Sequence, residues 1–351
     1  MPPAKPDSSI LNPIFDNTQV PHQALLVVRD PVSFSGRPVF REIIRRALAR
    51  GETITVIGIL NPPEDYLPLH ASGVNKLDLT GSVPGYSSTS TASDIKKQIL
   101  STYQSGQIFI DALDVLAEDY SAASVVSLLR SLLETIKLLK APSRLVLLLP
   151  SLSVLSHITP PTFHPTLTLL TPHPPPLLTY LSKLYLSPIS SSPSANYWMI
   201  LENATKRETG KELALRGEEG LEVSTGSSWG VGSGCVQVLV RKATGGMKGI
   251  SRSLEALSPT SSQSLSTVPL SSLVPLNPLR HSSTGPPPTA NNPSTSTAQT
   301  HAELDLPFNL SLTDSQRRQR DSVPIPYAHE GEGASGDLVW EDEEETDDEE
   351  I

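Results

Sequence analysis

Through the first half of the chain, short continuous apolar runs alternate with segments whose apolar residues recur at helical spacing. Ala24–Val28 is uninterrupted and apolar, as expected of a strand covered on both faces. Pro38–Arg50 sets Ile43, Ile44, Ala47 and Leu48 on one helical face, with Arg41, Arg45 and Arg50 mostly off it. Pro38 is compatible only with the first turn of that helix, and Gly51 ends it. Thr53–Ile59, rich in β-branched residues, predicts a second strand. Residues 61–92 read as a loop region with scattered Pro, Gly and Ser, and Ser93–Tyr103 as a short helix. Gln107–Ile110 predicts a third strand, ending at Asp111. Ser121–Lys140 predicts a long amphipathic helix and Arg144–Leu149 a fourth strand. Strand–helix–strand, repeated, implies an α/β fold: a mostly parallel sheet flanked by helices.

The pattern weakens after Pro150. A strand at Leu167–Leu170, a helix at Leu177–Leu186 and strands at Tyr197–Leu201, Leu221–Ser224 and Cys235–Arg241 are expected. In the last of these Val236, Val238 and Val240 alternate with Gln237, Leu239 and Arg241, which suggests an edge-like antiparallel position. The glycines of GSSWGVGSG precede a strand instead of opening a helix, so they read as a hairpin loop. Five segments result: a loose N-terminus over 1–22, an α/β domain over 23–255, a Ser/Thr/Pro-rich disordered linker over 256–302, an apolar island over 303–329 and an acidic tail over 330–351.

Composition supports this division. Only 37% of the 351 residues are hydrophobic and 33 are prolines, too apolar-poor for one continuous core. The net charge of −10 belongs to the end of the chain: residues 337–351 hold ten acids and no base, which leaves 27 acids against 27 bases elsewhere. A neutral body gives no strong prior for duplex DNA, which selects a basic face. One cysteine, Cys235, cannot form an intrachain disulfide and favours a reducing compartment. The N-terminus lacks an apolar stretch of signal-peptide length, and the most apolar run, Leu145–Leu149, is far short of a membrane span. A soluble protein of cytoplasm or nucleus is expected.

The segment VVRDPVSFSGRPVFREII sits where a phosphate-binding loop would join a strand to a helix, but its residues do not fit. If Gly36 is taken as the second glycine of that motif, Pro31 replaces the first, Arg37 the lysine and Pro38 the hydroxyl residue. Such a loop aims backbone N–H groups at phosphate oxygens; Pro31 and Pro38 have none, and Pro38 has no hydroxyl for magnesium. Asp111 stands at a strand end, where a metal-binding acid would be, with Asp114 and Glu118 following; strands ending in aspartate are common, and a turn or a helix cap is the simpler explanation. His157, His164 and His173 lie among prolines with no acid or thiol at ligand spacing, so no metal site is expected. Cys235 reads as a buried, inert thiol and the arginines of 38–50 as a solvated helix face. No catalytic set and no cofactor site is assigned.

The apolar island breaks the disordered pattern. Leu306, Pro307, Phe308, Asn309 and Leu310, then Thr313, Gln316, Arg318 and Arg320, then Val323, Pro324, Ile325, Pro326 and Tyr327, before an acidic end, closely resemble the Elongator complex subunit five family. VLVRKATGGMKGISRSLEAL at 238–257 is similar to the same family. The resemblance implies a RecA-like fold without ATPase motifs. It implies subunits four and six as partners in a hetero-hexameric ring, which binds tRNA and is linked to its release. It also implies membership in Elongator, which modifies the wobble uridine of tRNA at carbon five; the radical chemistry belongs to another subunit, in the catalytic subcomplex. Leu306–Leu310, Arg318, Arg320, Val323, Pro324, Pro326 and Tyr327 are then the candidate partner-binding residues of a tethered docking segment. Two other readings stay open: a nucleotide-dependent enzyme using Arg37 and Asp111, distinguished by saturable ATP binding, and an acidic-tailed nuclear interaction protein, distinguished by histone binding through 337–351.

Overall fold

The structure, a computed structural model, describes residues 9–31, 34–84, 91–139, 143–186, 188–209, 233–243, 249–260 and 264–273, all within the unit Met1–Pro286. Its frame is a nine-stranded sheet in the order β3-β2-β4-β5-β1-β6-β7-β8-β9. The strands are β1 (Leu25–Arg29), β2 (Ile54–Gly58), β3 (Val74–Asp78), β4 (Gln107–Asp111), β5 (Arg144–Leu149), β6 (Leu167–His173), β7 (Gly234–Arg241), β8 (Ile250–Pro259) and β9 (Leu265–Val268). From β3 to β6 neighbours run parallel, and from β6 to β9 antiparallel. The helices are α1 (Leu11–Phe15), α2 (Arg37–Ala49), α3 (Ala92–Thr102), α4 (Leu113–Asp119), α5 (Ala122–Leu138), α6 (Ser153–Ile158), α7 (Pro175–Leu184) and α8 (Ala195–Thr209).

Two-sided burial follows from the pleat. In β1, Leu25 and Val27 face one layer and Leu26 and Val28 the other; Leu145, Leu147 and Leu149 against Val146 and Leu148 repeat this in β5. The first layer receives α3, α4, α5 and α6, and the second α1 and α2. On α2, Val39, Phe40, Ile43, Ile44 and Ala47 are fully buried, each large side chain contributing about 1.5–3 kcal/mol. Gly51 closes that helix at φ +70°, a conformation open to glycine, and its N–H reaches the Leu48 carbonyl at 2.9 Å. The helices α7 and α8 pack a third cluster, with Leu177, Leu181, Tyr197 and Leu201 against Cys235 and Leu254.

The mostly parallel sheet flanked by helices is the α/β fold that the pattern predicts. Several elements differ from expectation. The lead-in contains α1, whose Leu11, Ile14 and Phe15 are fully buried. The 61–92 loop contains a 3-10 turn at Pro63–Tyr66 and β3. Tyr197–Leu201 is helical: Tyr197, Leu201 and Ala204 share the buried face of α8, and only a longer window shows that spacing. β7 is antiparallel but lies inside the sheet, between β6 and β8. The sheet also continues into the stretch read as linker, because β8 runs to Pro259 and β9 follows, held by the Leu265 N–H donating to Glu42 Oε2 at 3.2 Å. The expected strand at Leu221–Ser224, most of the GSSWGVGSG loop, and the docking segment and acidic tail lie outside the described residues.

Candidate functional site

In a parallel sheet, ligands bind beyond the carboxyl ends of neighbouring strands whose following helices leave toward opposite faces. β1 and β5 are such a pair: α2 leaves toward one layer and α6 toward the other. Their ends are tied by the Asp30 N–H donating to the Leu149 carbonyl at 2.9 Å. The candidate site is therefore the turn from Asp30 to Arg37 with the adjoining ends of β2, β4 and β5.

The Asp30 carboxylate occupies the front of α2. Its Oδ1 accepts from the Gly36 N–H at 2.8 Å and the Ser35 hydroxyl at 2.7 Å, and its Oδ2 accepts from Arg37 Nε at 3.3 Å. Gly36 is the N-cap of α2, and a Cβ built there would lie 1.9 Å from the Arg29 carbonyl oxygen. Glycine is required by that close approach, so the single glycine of the loop serves packing against β1. Pro38 sits in the first turn of the helix, as expected from its fixed φ and missing N–H.

Asp111 ends β4 and is almost fully buried. Its Oδ1 accepts from the Ile59 N–H and, at 3.4 Å, from the Leu60 N–H. Its Oδ2 accepts from the Asn61 N–H at 2.9 Å, Asn61 Nδ2 at 3.3 Å and the Tyr66 hydroxyl at 3.0 Å. Burial, and then the Asp111 charge, hold the Tyr66 phenol above its usual range. The carboxylate thus shapes the turn after β2, where Gly58 is also pressed against backbone, its built Cβ 2.2 Å from the Asn61 carbonyl. Asp114, on α4, accepts from the Ser151 N–H at 2.9 Å and the Ser153 hydroxyl at 3.3 Å, and burial pushes its carboxyl upward. Arg37 and Asp111, paired in the enzymatic reading, do reach one edge, but Arg37 bonds Asp30 within its own turn and Asp111 bonds the turn after β2.

The remaining candidates are dispersed. His173 is fully buried in β6 with Nε2 3.1 Å from Gln237 Oε1, and burial lowers its pKa to about 4. His164 Nδ1 bonds the Thr166 carbonyl at 2.8 Å, in the turn before β6, while His157 belongs to α6. Among the described residues no group of three His, Cys, Asp or Glu side chains is placed to hold a metal ion. Cys235 lies inside β7, where burial pushes its thiol upward. The arginine face of α2 is more engaged than a solvated face: Arg45 and Arg46 donate to the buried Glu42, and Arg46 also reaches Asp16 and stacks 5.0 Å from the Phe15 ring centre. Burial works against the Glu42 charge, but these guanidiniums and the Leu265 N–H outweigh it and keep the carboxyl below its usual range.

A larger cleft, of about 560 Å³, opens at the opposite, amino-terminal edge between α5 and the turn before β6. His22, Arg130, Lys137, Phe163 and His164 line part of it, with the Arg130 guanidinium 5.8 Å from the Phe163 ring centre.

The fold and the carboxyl edge define an α/β protein with a nine-stranded mixed sheet, in which the Asp30 carboxylate holds the turn after β1 and the Asp111 carboxylate the turn after β2. The family described as Elongator subunit Iki1 matches residues 11–341. The chain belongs to that family, that of Elongator complex subunit five, and is an accessory subunit of the Elongator complex. No curated protein matches it. Among solved structures, a KaiC-like protein from the hyperthermophilic archaeon Pyrococcus horikoshii OT3 is similar at 10% identity and a TM-score of 0.38, over 71% of this chain and 91% of that one.

Proposed function

We propose that the chain is a non-catalytic, RecA-like subunit of a hetero-hexameric ring formed with Elongator subunits four and six. The ring binds tRNA and assists its release, in support of carboxymethyl-type modification of the wobble uridine at carbon five, with the reaction itself carried by the catalytic subcomplex. The observation that carries this reading is the family match from residue 11 to 341, which includes the apolar island before the acidic tail. The engagement of Asp30 by its own turn and of Asp111 by the turn after β2 argues against phosphate chemistry by this chain.

The sheet domain supplies the permanent interface, and Leu306–Leu310, Arg318, Arg320, Val323, Pro324, Pro326 and Tyr327 dock on a neighbouring subunit. The intervening segment acts as a tether, which raises the local concentration of a weak second contact and so the avidity of the whole. The protein works in the cytoplasm and nucleus. Co-expression with the two ring subunits, followed by native mass measurement, tests the reading: two copies of each chain are expected, and a chain that purifies alone contradicts it. Deleting residues 303–328 from the same preparation is expected to weaken assembly; unchanged assembly and partner affinity would remove the docking role.

A further inference from the structure

Both walls of the cleft at the amino-terminal edge are held in place. One is α5, where Arg130, Leu133, Ile136 and Lys137 line it; Arg130 and Lys137 lie two helical turns apart and so share a side. The other is the turn before β6, which Arg241 of β7 clamps: its guanidinium donates to the carbonyls of Thr159, of His164 at 2.8 Å and of Pro165 at 3.3 Å. Arg130 bridges the two walls by stacking on Phe163. Ser143 also lines the cleft and is only 2% exposed. Its hydroxyl makes no hydrogen bond, while the nearby Tyr103 phenol donates to the Gly106 carbonyl at 3.0 Å. A buried hydroxyl left unpaired is costly, so it marks a place for a polar group of a bound molecule. The cleft volume falls in the range of ligand-holding sites, about 300–1,000 Å³.

We propose that this cleft docks an acidic peptide segment of a partner protein, one that carries a large apolar side chain beside carboxylates. Among the described residues, Arg130 and Lys137 are exposed and belong to no ion pair, so both are available to an incoming carboxylate. Leu133, Ile136 and Phe163 supply the apolar contact. The chain on either side continues it: Val20, two residues before His22, is 90% exposed, and Leu138, next to Lys137, is 85% exposed. These features favour a protein segment over nucleic acid. Two exposed cations with Glu134 between them do not form the continuous basic track that a phosphate backbone selects, and the chain outside its acidic end carries no net charge. Such docking is independent of ring membership.

The test selects peptides on the full chain from a displayed library of random 12-residue sequences. The selected peptides are expected to be rich in Asp and Glu around Leu, Phe or Trp. Their binding should weaken about tenfold when Arg130→Gln and Lys137→Gln are combined, and should weaken with Lys137→Glu alone, an exposed change that keeps the fold if the double variant does not. Lys183→Glu, on α7 and away from the cleft, should leave binding unchanged. The proposal is overturned if no acidic peptides are enriched, or if the selected peptides bind the cleft variants as they bind wild type. It is equally overturned if a single-stranded oligouridine displaces the peptides and itself loses binding in the cleft variants, which would assign the cleft to nucleic acid.

Discussion

At the two edges of the parallel sheet, buried charges of opposite sign hold the backbone, with different consequences. At the amino-terminal edge, Arg144 is fully buried at the start of β5 and donates to Gln107 Oε1 at 2.6 Å, to the Ile14 carbonyl and to the Phe15 carbonyl at 3.3 Å. It satisfies the end of α1, whose other end is held by Glu255 of β8, which accepts from the Ile10 N–H at 2.7 Å and the Ser9 hydroxyl at 2.5 Å. At the carboxyl edge, Asp30 accepts from its own turn and Asp111 from the turn after the neighbouring strand β2. Arg144 ties segments 130 residues apart, while the carboxylates hold turns: Asp30 its own, and Asp111 the one after β2, 50 residues earlier. The first arrangement is part of the fold; the second closes an edge on which such sheets usually act.

The largest effect is expected at the amino edge. Arg144→Met leaves Gln107 Oε1 and the Phe15 carbonyl without this donor, while the Ile14 carbonyl keeps the Asn17 N–H, and should cost about 3–4 kcal/mol in urea unfolding. Second comes acid sensitivity from His173, at the carboxyl end of β6. Burial lowers its pKa from 6.5 to about 4, so the unfolded chain takes up the proton first. Its contribution is complete above pH 6.5 and is lost as pH falls toward 4, by about 3 kcal/mol, and a His173→Leu variant should have a flatter profile over that window. Arg144, lowered by burial to about 9, keeps its charge throughout the same window.

Third, Asp111→Asn retains one acceptor oxygen in place of two and should destabilise by about 1–2 kcal/mol, with increased amide exchange at Ile59–Asn61. The smallest effect is at the outer strand β3, where Lys76 meets Glu64 at 3.2 Å in solvent. Glu64→Ala should change stability by no more than about 0.5 kcal/mol.

The central strands were legible because burial on both faces makes them uninterrupted apolar runs, as in Leu25–Val28 and Leu145–Leu149. β3 was not, because an edge strand reading VNKLD is half exposed and carries charge. α1 is too short to establish a period, and β9 is a four-residue LSTV within Ser/Thr-rich chain, fixed by Glu42 at a separation of 223 residues. At the site, the missing glycine, lysine and hydroxyl were legible as absences from a motif. The role of Asp30 was not, since it depends on how the turn folds back; an acid at a strand end followed six residues later by Gly-Arg is the only local signal. The arginines of α2 misled for a similar reason: their partners Glu42 and Asp16 become neighbours through the helix and α1.

On the proposed function, this chain contributes through assembly and not through chemistry at the carboxyl edge of its sheet. The most direct test is to place Asp111→Asn in the complete Elongator complex and compare wobble-uridine modification with the amount of assembled complex. Modification that tracks assembly, with an undiminished level per complex, is the predicted result. Normal assembly with modification lost would contradict it.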